Sequence, residues 1–399
     1  MNIGINAVAA FKQPRTGVEE YTYQLIKHLT MLEESKRHRF ILYSQRNDDY
    51  GDQGTVPEGQ SFSEGLSLRD SPLNSPLNIK QLKWSLPMWT QVRLASEMLL
   101  HQPDVLFIPV HVLPLVHPQN SVVTIHGLEY EYYPKMYPWR HLRYLRWSTK
   151  YALKNARKII AVSENTKEDL IRLYGGEPEK IAVIHHGFSV SKQGLSLKDN
   201  LVSRTVLRGH SLKLPYILFI GRLEAKKNIQ GIIKAFNLLK EKYQVPHKLA
   251  LVGPKGGQGQ SLGYSPCSKD CIRGTVPVLD SDQVIFTGYV SEQEKWSLLK
   301  NADMFVLPSF YEGFGMPILE AQAAGCPVVT SNVSSMPEIA GQGAILVEPK
   351  NIEQITQAMY KVIKDSQFKN DLITKGYENV KRFSWQKCAQ ETLKVLANL

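Results

Sequence analysis

What most constrains the fold of this chain is a rhythm. Short, unbroken apolar runs recur, each closed by a turn and followed by a segment of helical period. In the first half the runs fall at residues 2–7, 40–43, 105–110, 122–126, 159–162 and 181–184; in the second they fall at 216–220, 248–252, 284–287, 304–307, 328–330 and 344–347. Unbroken Val, Ile and Leu runs mark strands covered on both faces, as in parallel sheets. Between them, residues 17–30 carry Val18, Tyr21, Leu25 and Leu29 on one stripe, and residues 229–242 and 292–301 also read as helices. This alternation predicts an α/β chain of two doubly wound units. A length of 399 residues, too long for one ordinary core, agrees.

The unit boundary is expected in the polar stretch 188–213. That divides the chain into a first domain, 1–200, and a second, 201–381, and leaves 382–399 as a C-terminal segment. Residues 51–78 and 253–282, rich in Gly, Ser and other turn formers, read as loop insertions. The N-terminus enters a strand directly, without the basic-then-apolar pattern of a signal peptide, so a cytoplasmic protein is expected. Four cysteines (Cys267, Cys271, Cys326, Cys388) lack the companions of a zinc set, and a reduced loop pair at Cys267 and Cys271 is expected.

Two segments carry the chemistry. Glu312-Gly-Phe-Gly-Met-Pro-Ile-Leu-Glu320 follows a strand, at the edge where open α/β sheets bind ligands. Gly313 and Gly315 let backbone approach a ligand, and a helix starting near Gly315 would aim free N–H groups at a phosphate. Glu312 and Glu320 can accept hydrogen bonds from sugar hydroxyls. The plainer reading is a core helix with two surface glutamates. The second segment, Gly221-Arg-Leu-Glu-Ala-Lys-Lys-Asn228, ends another strand. There Arg222 and Lys227 can hold a diphosphate and stabilise it as it leaves, or they can be solvated bases at a strand end.

In order along the chain, Gly221-Arg222 with Lys227, Phe286-Thr-Gly-Tyr-Val290, Pro308-Ser309, Glu312 to Glu320, Ala324-Gly-Cys-Pro-Val-Val329 and Pro337-Glu338 before Gly341 resemble family 4 of the retaining glycosyltransferases. The likeness covers nearly the whole chain apart from the two insertions. It implies the GT-B fold: two Rossmann-like domains facing across a cleft, acceptor on the first and donor nucleotide-sugar mainly on the second, with a C-terminal helix crossing back. It also implies that Arg222 and Lys227 bind the donor diphosphate, Glu312 the donor sugar and Glu320 the ribose. The backbone at Gly288 and Tyr289 would lie beside the base, and the N–H groups of Phe314, Gly315 and Met316 beside the sugar or phosphate. In the first half, Thr16 stands where the family often has a glycine, and Gly17 can still offer its N–H to a phosphate. His126 would point at the donor sugar; the alternative is a hydrogen-bonded structural histidine. Phe383 and Trp385 read as anchors of the last helix.

The implied reaction is sugar transfer with retention of configuration, the leaving phosphate taking the acceptor proton, so that the protein acts by positioning and charge. No cofactor and no metal are expected: Asp280-Ser281-Asp282 matches a cation-binding pattern of another fold but reads as a solvated turn. Stretches 15–21 and 126–130 resemble mannosyltransferases of bacterial surface polysaccharide synthesis, which favours GDP-mannose; UDP-glucose and related donors stay open. The expected acceptor is a glycan or lipid-linked hydroxyl. A dinucleotide oxidoreductase built on Gly253, Gly256, Gly257 and Gly259 lacks the following helix and acidic residue. A sugar-nucleotide-binding protein without catalysis is the remaining rival.

The net charge of +11 is local in part. Lys135, Arg140, Arg143, Arg146, Lys150, Lys154, Arg157 and Lys158 occur with no Asp or Glu among them, interleaved with five aromatic residues. That pattern suits a peripheral contact with anionic lipid at the inner face of the membrane, or a basic helix partly packed in the first domain. No nucleic-acid motif accompanies it.

Overall fold

The computed structural model describes residues 1–12, 15–46, 78–83, 88–190, 205–207, 210–212, 215–254 and 283–399. Cys267, Cys271, Asp280, Asp282 and most of both expected insertions lie outside these residues.

Each half is built on one parallel sheet. In the first half the strands are β1 (Asn2–Asn6), β2 (Arg39–Arg46), β3 (Asn78–Lys83), β4 (Val105–Ile108), β5 (Ser121–Ile125), β6 (Lys158–Ala161) and β7 (Ile181–Val183), in the spatial order β3-β2-β1-β4-β5-β6-β7. The second half has β10 (Tyr216–Ile220), β11 (Lys248–Val252), β12 (Val284–Gly288), β13 (Met304–Leu307), β14 (Val328–Ser331) and β15 (Ala344–Val347), ordered β12-β11-β10-β13-β14-β15. Between the halves β8 (Thr205–Leu207) and β9 (His210–Leu212) form an antiparallel pair. Both large sheets therefore start in the middle, run outward, and reverse between their first and fourth strands. That reversal is the topological switch point at which such sheets bind ligands.

The strands form where continuous apolar runs can be covered on both faces: β4, β5 and β13 are buried throughout. One face of the first sheet is covered by the helix Gly17–Leu29 through Leu25, Ile26 and Leu29. The C-terminal helix Trp385–Ala397 covers the same face through Trp385, Cys388, Leu393 and Leu396. Each such side chain, fully buried, contributes roughly 1.5–3 kcal/mol. The last helix thus crosses back from the second half to the first. Gly187 makes room for it: a Cβ there would stand 2.3 Å from the Trp385 backbone.

Two elements differ from the sequence reading. β3 lies at the end of the stretch read as an insertion. Its sequence, Asn-Ile-Lys-Gln-Leu-Lys, is too polar for a central strand but fits a sheet edge, where lysines discourage further pairing. The pair β8–β9 falls in the polar stretch read as a linker, where three-residue strands leave no measurable period.

Candidate functional site

The loops that leave β10 and β13 flank the switch point of the second sheet. Asn228 pins them together. It adopts a left-handed conformation (φ 57°) and its side chain accepts from the Gly231 N–H at 3.2 Å, capping the helix Ile229–Tyr243. Its amide donates to the carbonyls of Pro308 (3.1 Å) and Pro349 (2.6 Å). The Phe310 N–H adds a bond to the Lys226 carbonyl at 2.8 Å. Lys227 and Glu312, one from each loop, are thereby brought into an ion pair.

Glu312 is held on all sides. Its backbone carbonyl accepts from the hydroxyls of Ser334 (2.7 Å) and Ser335 (2.8 Å). Its Oε1 accepts from Lys227 and from the Ser309 hydroxyl at 2.9 Å, and both of these bonds leave Oε2 to accept from a ligand hydroxyl. Glu320, in the second turn of the helix Met316–Ala323, has the same design: Lys295 bonds its Oε1 at 2.7 Å. Burial lifts the Glu320 carboxyl above its ordinary value against the pull of Lys295. Arg222 differs from Lys227: it is 53% exposed, with Glu224 3.7 Å away, and is available to an anion.

The helix Met316–Ala323 begins at Gly315 in a left-handed conformation (φ 102°), and no side chain caps it. Pro317 has no N–H, so the donors at this end are those of its first residues, which include Met316. Gly313 serves a different purpose from the one its sequence suggests. A Cβ there would stand 1.7 Å from the His126 carbonyl oxygen, so the glycine admits the backbone of the other half rather than a ligand. Phe314 likewise points into protein. It is 5% exposed, stacks on His186 at 4.5 Å and packs with Val162, Leu319, Ile339 and Phe383. Gly288 ends β12 with φ 72°, and Tyr289 after it is 60% exposed.

From the first half, His126 leaves the end of β5 and meets this cluster. Its Nε2–H donates to the Pro109 carbonyl at 2.8 Å, while its backbone N–H donates to His111 Nε2 at 3.0 Å. His111, whose Nε2 accepts, is therefore uncharged as bonded, and burial, with His111 alongside, depresses the His126 pKa to about 3, which leaves that ring uncharged as well. With its proton on Nε2, His126 keeps Nδ1 as an acceptor, and that atom has no partner among the described residues. Gly17 opens the first helix, where Thr16 and Glu19 form a capping box that engages the N–H groups of those two residues.

Several residues that join the halves had no assigned role in the sequence. Tyr311 reaches across, accepting from the Leu128 N–H at 2.9 Å and donating to Asp169 at 3.2 Å. Glu338 accepts twice from the Glu164 N–H, at 3.0 Å each, at the start of the helix Glu164–Tyr174, and binds His185 at 2.5 Å. The Ser163 hydroxyl donates to the Gly313 carbonyl at 2.8 Å. Lys226 stands 3.7 Å from Glu129; burial works against the charge of Glu129, but Lys226 and neighbouring donors hold its pKa below the ordinary value. A carboxylate three residues before Gly341, or a tyrosine beside Glu312, carries no periodicity that reveals its partner in another sheet. Among the described residues no three His, Cys, Asp or Glu side chains are grouped as metal ligands would be, and no helix is long and apolar enough to cross a membrane.

Comparison with known proteins gives the same arrangement. The chain is 28% identical over 401 residues to O-antigen chain mannosyltransferase B of Escherichia coli, covering 98% of both chains. It is 28% identical over 282 residues to O-antigen chain mannosyltransferase RfbU of Salmonella typhimurium, covering 68% of this chain and 69% of that one. The solved sucrose-phosphate synthase of Thermosynechococcus elongatus superposes with a TM-score of 0.71 at 18% identity, over 100% of this chain and 98% of that one, which shows a common fold. Residues 15–192 match the family described as Glycosyltransferase Family 4 and residues 208–379 match Glycosyl transferases group 1. With both halves matched in order on two facing Rossmann-like sheets, the chain belongs to the family 4 glycosyltransferases and has the GT-B fold.

Proposed function

We propose that this glycosyltransferase moves a hexose, mannose from GDP-mannose, onto a hydroxyl of a glycan or lipid-linked acceptor during synthesis of a cell-surface polysaccharide, with retention of configuration. The observation that carries the reading is the end-to-end likeness, 98% of both chains, to an enzyme named for adding mannose to an O-antigen chain. The geometry supports the same division of labour. Arg222 and Lys227 take the donor diphosphate at the switch point, with the uncapped start of the helix Met316–Ala323 beside it. Glu312 Oε2 accepts from a hydroxyl of the sugar, and Glu320 from the ribose. Uncharged His126 faces the sugar from the first half.

In the transfer, the bond from the anomeric carbon to the phosphate oxygen breaks and a bond to the acceptor oxygen forms on the same face. The acceptor proton passes to the leaving phosphate. Charge building on that phosphate is met by Lys227 and Arg222, so neither a side-chain base nor a metal ion is required. UDP-glucose is the alternative donor, because nothing in the Gly288–Tyr289 backbone distinguishes guanine from uracil.

The test is transfer of radiolabelled sugar from GDP-mannose, UDP-glucose or UDP-N-acetylglucosamine to a synthetic mannosyl acceptor on a lipid aglycone, with EDTA present. Product from GDP-mannose alone, with the new linkage in the donor's own configuration, is expected. Product from a UDP-sugar would overturn the donor assignment. Tight donor binding with no product from any of the three would favour a non-catalytic sugar-nucleotide-binding protein.

A further inference from the structure

Along the helix Trp139–Asn155, the side chains of Trp139, Arg143, Trp147, Lys150 and Lys154 recur at the spacing of a single face. All five are exposed. The opposite face is buried through Ser148, Thr149, Ala152 and Leu153. Fully burying a tryptophan face is a large favourable term, yet Trp139 is 61% and Trp147 41% exposed. This surface is therefore both strongly basic and aromatic. No Asp or Glu occurs from residue 135 to 158, and Glu131, just before that stretch, is taken up by Arg146 at 2.8 Å.

Three of the aromatic rings lie against one another. Trp147 lies 5.8 Å from Tyr144 and stacks on Tyr151 at 5.3 Å. Tyr151 in turn donates to the Leu115 carbonyl at 2.9 Å, and Leu115 is itself 53% exposed. The guanidinium groups of Arg140 and Arg143 lie 5.2 and 5.8 Å from the Trp139 ring. Single-stranded nucleic acid needs rings with free faces on which bases stack, and here Trp147 and Tyr151 stack on each other. A layer with apolar tails below anionic phosphates needs what is present: indole and leucine at the depth of the headgroups, and bases around them.

We propose that the outer face of the helix Trp139–Asn155, with Leu115 beside it, docks the protein on a membrane surface containing anionic lipid. The contact is independent of which donor or acceptor the enzyme uses. It has a consequence for access. The inner side of the same helix packs on the loops after β4 and β5: Thr149 is bonded to the Tyr130 hydroxyl at 2.7 Å, and the Ser148 hydroxyl donates to the His111 carbonyl at 3.4 Å. His111 holds the backbone of His126. Docking on this face places the lipid surface one helix away from the His126 loop.

The experiment is co-sedimentation of the whole chain with vesicles of phosphatidylcholine, alone or with about one-third phosphatidylglycerol. Binding to the anionic vesicles only is expected, with the Trp fluorescence shifting to the blue. Reversing two charges, Arg140→Glu with Arg143→Glu, should weaken it by more than about tenfold. Trp139→Ser should weaken it with the charge intact. Both variants alter exposed side chains, so unchanged melting and unchanged GDP-mannose binding show that they fold. The proposal is overturned if the wild-type chain leaves anionic vesicles in the supernatant, if both variants bind them like the wild type, or if duplex DNA displaces the vesicles while Trp139→Ser has no effect.

Discussion

The two sheets share a strand order, so the first helix of each half occupies the same place, after the central strand and beside the switch point. The two starts are opposite in charge. In the first half the helix Gly17–Leu29 opens with Glu19 and Glu20, and Glu19 closes a capping box with Thr16. In the second, the helix Ile229–Tyr243 has no acid in its first turn and follows directly on Lys226 and Lys227. A helix N-terminus attracts an anion through its free N–H groups and its dipole. In the first half the turn carries acids; in the second it carries lysines, with Lys227 paired to Glu312 and Asn228 capping the helix. Under the proposed function, the residues at the turn, and not the fold position alone, decide which half takes the phosphate.

The strongest way to break this contrast is Lys227→Ala. In the proposed reaction Lys227 meets the leaving diphosphate, so its loss should lower kcat/KM by about 10²–10³-fold, or about 2.7–4 kcal/mol. A fall of less than about fivefold, measured by steady-state transfer, would move the diphosphate elsewhere. Gly313→Ala tests the joint between the halves. Its new methyl group meets the His126 carbonyl, so it should cost about 1–3 kcal/mol in denaturant unfolding and lower the turnover as well.

Acid sharpens the contrast from the first half. The His126 pKa is about 3 in the folded chain against 6.5 ordinarily, because burial and His111 disfavour its charge. Between those values the unfolded state binds the proton and the folded state does not. Stability is therefore full above about pH 6.5 and falls as the pH drops through this window, by up to about 1.4 kcal/mol per pH unit from this group. Burial also depresses His186 and His111, so they add in the same direction. Denaturant midpoints from pH 7.5 to 5 should fall, and His126→Gln should flatten the slope. The smallest effect is expected from Glu19→Ala, which removes half of the capping box. It should cost about 1 kcal/mol of stability with kcat/KM changed by less than about threefold.

The fold was legible because its signal is one of composition: buried parallel strands are apolar from end to end, and all twelve expected runs fall on strands. What the period could not reveal were elements too polar or too short to carry one, β3 at the sheet edge and the pair β8–β9. In the site, Glu312, Lys227 and Arg222 could be placed at the strand ends because they adjoin strands in sequence. Their pairing could not, since Lys227 and Glu312 meet only through the parallel neighbours β10 and β13. Nor could the purpose of Gly313, Phe314 or Tyr311, each of which is satisfied by the other half of the molecule. Glycine in a strand-to-helix turn signals a close approach, but not whether a ligand or a carbonyl is what approaches.

The most direct test of the contrast is calorimetric titration of GDP-mannose, in EDTA, into the wild-type chain, Lys227→Ala and Glu19→Ala, with UDP-glucose as the titrant if it binds the wild type more tightly. The account predicts that Glu19→Ala binds within about threefold of the wild type and that Lys227→Ala binds more than about tenfold more weakly. Wild-type affinity in Lys227→Ala, or a larger loss in Glu19→Ala than in Lys227→Ala, would contradict it.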